Sequence, residues 1–139
     1  MHTTTYWKSG ETFETHSHQH TLFMGSTADP ASPNNGFSPK AMLLSALAGC
    51  TGIDVVALLV KMRVTFTALQ IDVTTEVTDE HPRVFKDIYM TYRIRTKKEN
   101  GEKVKKAVDL SSEKYCGVAA MLRKHSPIHL QIIIEEQAQ

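Results

Sequence analysis

Hydrophobic and polar residues alternate along two long stretches of the chain, and shorter runs of β-branched and aromatic residues mark further elements. Residues 3–8, 12–16 and 21–24 are short runs rich in threonine and aromatic side chains, broken by Ser9-Gly10 and by Ser17-His18-Gln19-His20. Such runs predict three short strands joined by turns. Residues 68–78 and 84–95 alternate apolar and polar at period two on either side of Asp79-Glu80-His81-Pro82, which predicts an antiparallel hairpin of two longer strands. Residues 128–134 (Ile-His-Leu-Gln-Ile-Ile-Ile) predict a closing strand.

Between the two sets of strands the pattern changes. Residues 26–37, with two prolines, two asparagines and a glycine, predict a loop. Ser38 then suits an N-cap and Pro39 the first helical position, where its missing N–H costs nothing. From Ala41 to Met62 there is no proline, and almost every position up to Cys50 is apolar or small. A helix apolar all round is a buried one, so this is expected to be the central helix, with Ala46, Ala48 and Gly49 admitting a close neighbour. After the polar turn at Lys97–Gly101, residues 102–110 are compatible with a helix. Ser111 or Ser112 is expected to cap another, running through Cys116 to about Arg123 and ended by Ser126-Pro127. The order strands, helix, strands, helices, strand favours an α+β domain with an antiparallel sheet, here a single domain over residues 1–139.

Composition narrows the function classes. The 139 residues carry a net charge of +1 from 16 basic and 15 acidic side chains, which gives no footprint for nucleic acid or an anionic membrane. No uninterrupted apolar run approaches the roughly 18–20 residues of a membrane span. The segment beginning Met1-His2-Thr3 has no basic region followed by an apolar one, so a cytoplasmic location is the expectation. Lys103, Lys105 and Lys106 read as a solvated helix face. His81, before Pro82, reads as a turn residue.

Two cysteines are too few for a disulfide scaffold and too far apart for a CxxC motif. A buried helical cysteine is by default a small hydrophobic filler. The functional reading draws on their shared setting among small residues, Ala48-Gly49-Cys50-Thr51-Gly52 and Tyr115-Cys116-Gly117-Val118-Ala119. If the two segments pack together, one thiol can be oxidised to a sulfenic acid and the other can condense with it. Cys116, about one turn into its expected helix, would gain from the N-terminal dipole. Cys50 lies too far along its helix for that effect, and Asp54, four residues on and on the same face, opposes its ionisation. His16, His18 and His20 would share one face of an extended segment, as a metal site requires, but surface imidazoles near a turn need no ligand, and no metal or other cofactor is expected.

The run from Ser38 to Val56, SPKAMLLSALAGCTGIDVV, resembles the first cysteine helix of the OsmC/Ohr family, and Leu110–Cys116, LSSEKYC, resembles its second cysteine motif. Glu80-His81-Pro82-Arg83-Val84-Phe85 resembles one OsmC-like branch, and the likeness spans nearly the whole chain. It implies an intertwined homodimer with two central helices wrapped by sheets of both subunits. It also implies a thiol-dependent peroxidase that reduces organic hydroperoxides or hydrogen peroxide in oxidative stress defence. Cys50 would be the peroxidatic thiol and Cys116 the resolving one, the disulfide being re-reduced by a dithiol such as a lipoyl group. Peroxidases of the family pair the attacking cysteine with an arginine from the N-terminal strands and a glutamate near the helix start. Here no arginine precedes Arg63, and Lys40 stands in the glutamate's place. Lys40 and Asp54 are therefore the candidate accessory groups. The alternative is a non-catalytic dimer that binds a small apolar ligand at the helix interface.

Overall fold

The computed structural model describes residues 1–26 and 36–136, so most of the expected loop over 26–37 lies outside the described residues. Contacts group the chain into two compact units, Met1–Leu43 and Leu44–Gln139.

In the first unit, β1 (Thr4–Ser9), β2 (Thr12–Ser17) and β3 (His20–Met24) form an antiparallel sheet in the order β1-β2-β3. The β1–β2 turn passes through Gly10 at φ 51°, a left-handed conformation that costs glycine nothing, and the Trp7 indole N–H donates to the Gly10 carbonyl at 2.9 Å. Gly36 runs so close to the Phe23 carbonyl that no side chain would fit there. The sheet buries little of itself: Tyr6, Trp7, Phe13 and Phe23 are all exposed.

The helix start is as expected. The Ala41 amide donates to the Ser38 hydroxyl at 3.2 Å, the Met42 amide donates to the Ser38 carbonyl at 3.0 Å, and α1 runs Pro39–Lys61. Expected burial on all sides is replaced by a single buried stripe, Leu47, Thr51, Val55 and Leu59. On another face Gly49, Ile53, Val56 and Val60 are exposed, with Ile53 at 74%. By length and composition alone α1 would suit a membrane span, although its apolar run is interrupted. What holds it in the fold is the stripe, whose four-residue spacing aims one line of side chains at the core.

The second unit has its own sheet, ordered β4-β5-β6, from β4 (Phe66–Val77), β5 (Phe85–Thr96) and β6 (Ile128–Glu136). The β4–β5 hairpin is antiparallel as expected, but β6 pairs parallel to β5, with Ile88 opposite Ile128 and Ile94 opposite Ile134. The sheet is thus mixed, because residues 97–127 form a helical crossover long enough to bring β6 back in the direction of β5. That crossover holds α2 (Gly101–Leu110), a π-helical turn (Ser111–Tyr115) and α3 (Gly117–Arg123). On β5, Ile88, Met90, Tyr92 and Ile94 alternate into the core beside the α1 stripe, Val104, Ala107 and Val108 of α2, and Ala119 of α3. The opposite face carries the Arg93–Asp72 and Arg95–Glu135 pairs and the stacked rings of Tyr89 and His129. Lys103, Lys105 and Lys106 face solvent, as read from the sequence.

Candidate functional site: a dithiol beside a carboxylate

Cys50 sits near the middle of α1, one residue before the buried Thr51, and is half-buried. Cys116 comes to it from a break in the second helical segment. After α2 the chain widens into the π-turn, where the Cys116 amide donates to the Ser111 carbonyl at 2.8 Å, five residues back. Cys116 itself has extended backbone, φ −74° and ψ 106°, and is the N-cap of α3. It was expected a turn inside a helix capped by Ser111 or Ser112. Neither serine caps: both lie in the π-turn and are buried. In place of a capping oxygen, the Cys116 sulfur accepts the Ala119 amide at 3.3 Å.

The two sulfurs and a carboxylate oxygen of Asp54 lie within 4.8 Å of one another. Both cysteines are free thiols. Cys116 is 2% exposed. Burial, and then the hydrogen bond its thiol makes with Cys50, push its pKa from an ordinary 9.0 up to about 11, against the opposing pull of the Ala119 amide. The dipole gain expected at Cys116 is therefore outweighed by desolvation.

Asp54 projects from the same face of α1 as Cys50, one turn on. Its Oδ2 accepts the Ser111 hydroxyl at 3.2 Å, and the same hydroxyl lies 3.1 Å from the Thr51 carbonyl. Ser111 thus ties the π-turn to α1 at the height of the thiols. Arg123 closes the turn from the other side, donating to the Ser112 carbonyl at 3.0 Å and to its hydroxyl at 2.6 Å. Tyr92, fully buried on β5, completes the surroundings. Burial raises its phenol above the ordinary range, the Thr51 hydroxyl bonded to it pulls the other way, and Cys116 adds to the rise.

Of the residues chosen from sequence, Cys50, Cys116 and Asp54 are brought together, whereas Lys40 is exposed in the first turn of α1. Ser111 and Tyr92 were missed. A phenol on the otherwise apolar inner face of β5 was the available signal for Tyr92. The histidines do not share a face: the chain reverses between Ser17 and His20, with His18 at φ 54°. His16 is engaged with Glu14, whose carboxyl is held below its ordinary range by His16 and then by Lys8. Among the described residues, Cys50, Asp54 and Cys116 are the group that could hold a metal ion. A soft cation would suit the two sulfurs.

A groove of about 610 Å³ lies against α1, lined by Gly49, Gly52, Ile53 and Val56 of that helix with Leu69 and Ile71 of β4, and none of the three cluster residues lines it. Gly52 faces β4 so closely that a methyl group there would lie 3.1 Å from the end of Ile71.

Residues 32–131 match the family model described as OsmC-like protein. Protein YhfA of Escherichia coli (strain K12) is 38% identical over 120 residues, 85% of this chain and 86% of that protein. Among solved structures, an OsmC-like protein from Mycoplasma pneumoniae superposes with a TM-score of 0.82 at 20% identity, over 96% of this chain and 95% of that one. The organic hydroperoxide resistance protein OhrB of Bacillus subtilis superposes with a TM-score of 0.65 at 16% identity, over 94% and 96%. Those two likenesses establish the fold, and the family model together with the two adjacent thiols points to redox chemistry. The chain belongs to the OsmC-like protein family.

Proposed function

We propose that the protein is a thiol-dependent peroxidase. The observation that carries this reading is the meeting of two free thiols, from segments far apart in the chain, within 4.8 Å. The half-buried Cys50 attacks a hydroperoxide: its sulfur takes the terminal oxygen, the O–O bond breaks, and the thiol proton leaves with the alkoxide as alcohol. The buried Cys116 then displaces water from the Cys50 sulfenic acid to form the disulfide. A small closure of the sulfurs, to about 2.05 Å, completes that bond. A raised thiol pKa suits a group that waits for the sulfenic acid and does not itself compete for peroxide. A dithiol such as a lipoyl group returns the pair to thiols. The exposed apolar stripe of α1 is covered by the same stripe of a second copy, and the homodimer works in the cytoplasm in defence against oxidative stress.

The test is to treat the reduced protein with cumene hydroperoxide and map the products by mass spectrometry. A Cys50–Cys116 disulfide, and a Cys50 sulfenic acid trapped by dimedone in the Cys116→Ser variant, are expected. The reading fails if neither forms.

The groove along α1 favours a second reading, a non-catalytic dimer that takes a small apolar ligand between Ile53, Val56 and Ile71. It requires inert thiols, so rapid alkylation of Cys50 at neutral pH rules it out.

A further inference from the structure

We propose that Asp54 is the general base for Cys116, taking the proton of the buried thiol as that sulfur attacks Cys50 and passing it to the leaving group. The inference rests on the peroxidase reading only for the source of the sulfenic acid.

The geometry supplies the parts. A carboxylate oxygen of Asp54 lies within 4.8 Å of both sulfurs. A carboxylate has acceptor capacity to spare beyond the one Ser111 hydroxyl seen at its Oδ2. The two thiols differ in access to water. Cys50 is half-buried and can lose its proton outward. Cys116 is 2% exposed, its sulfur already accepts the Ala119 amide, and bulk water does not reach it as a base. Asp54 is partly exposed, so it bridges the enclosed sulfur to solvent. With the Cys116 thiol pushed up to about 11, about one molecule in ten thousand would carry the thiolate at pH 7 without help. A base at the sulfur removes that handicap, by a factor that for positioned acid–base groups is typically about 10²–10⁴.

The step balances without any outside reagent. The Cys116 S–H proton moves to Asp54, the freed electron pair forms the S–S bond, and the S–O bond of the Cys50 sulfenic acid breaks. The departing hydroxide takes the proton from Asp54 and leaves as water. The Cys116 sulfur is oxidised, the Cys50 sulfur is reduced, and Asp54 ends as it began. Ser111 is a positioning residue here, holding the carboxylate from the π-turn that also carries Cys116. Among the described residues, the titratable groups facing Cys116 are Cys50 and Asp54 from α1 and Tyr92 from β5. Tyr92 is raised by burial and stays neutral through the working range, so Asp54 is the base among them.

The test isolates attack by Cys116 from any reaction with peroxide. Cys50 of the 139-residue chain is charged as a mixed disulfide with thionitrobenzoate, and release of the coloured thiolate reports formation of the Cys50–Cys116 bond. Asp54→Asn is expected to slow release about a hundredfold at pH 7 and to make it rise nearly tenfold per pH unit. Wild type should stay nearly flat between pH 6.5 and 8, and Asp54→Glu should recover most of the rate. Release from Asp54→Asn at the wild-type rate, or with the wild-type pH profile, overturns the proposal. A far-ultraviolet melting curve of each variant separates loss of the base from loss of the fold. Because no peroxide is used, failure of the peroxidase reading would show in the cumene hydroperoxide experiment and leave this result standing.

Discussion

The two units of the chain solve the problem of apolar surface in opposite ways. Leu44–Gln139 turns Ile88, Met90, Tyr92 and Ile94 of one strand inward onto Leu47, Val55 and Leu59 of one helix, each at most 1% exposed, and leaves open the far face of that helix around Ile53. In Met1–Leu43 the strands pair just as regularly, yet Trp7 is 66% exposed and Tyr6 54%. Three short strands with no closed core are marginal alone. Residue type and pairing therefore specify a strand, and whether that strand acquires a core depends on what covers it. The reactive centre lies in the unit with the core, where packing can hold two sulfurs and a carboxylate at fixed separation.

The contrast can be broken first at its strongest point. Leu59→Ala should cost about 2–5 kcal/mol by emptying a fully buried site, whereas Trp7→Ala should cost less than about 1 kcal/mol in the single chain, both read from denaturant unfolding. Equal costs would mean that another surface covers the aromatic face of the first unit. A smaller effect is expected at the exposed stripe of α1. Placing a charge there with Ile53→Lys should weaken the proposed pairing of copies about a hundredfold in sedimentation, while leaving the melting curve of the monomer nearly unchanged. The smallest effect concerns pH. Burial raises the Cys116 thiol from 9.0 to about 11, so the folded chain holds that proton more tightly than the unfolded one. Its contribution is fully present below about 9 and falls away as pH rises through about 11. Cys116→Ala should flatten this part of the stability profile.

Much of this was legible in the residues themselves. Period-two alternation placed the β4–β5 hairpin, runs of β-branched and aromatic residues placed the other strands, each to within a few positions, and Ser38-Pro39 placed the start of α1, because these signals are local. The direction of β6 was not legible, since its residues would read the same in either orientation and the crossover decides. The two thiols were recognisable from their small neighbours, and the place of Asp54 followed from helical spacing. The surroundings of Cys116 were hidden for a different reason. Serines before a helical pattern ordinarily read as caps, and only the tertiary bonds of Ser111 to Asp54 and Thr51 show that they belong to a π-turn.

That turn sets the aim of the second thiol. An α-helix advances each side chain by about 100° around its axis, so a helical segment that accommodates one residue more than the regular count re-phases everything after it. Shortening Ser111–Tyr115 by one residue would restore the ordinary winding and carry Cys116 around the axis, away from Cys50, with every side chain of the centre still present. The spacing between Ser111 and Cys116 is thus a setting of rotational phase, as necessary to the dithiol as the sulfurs themselves.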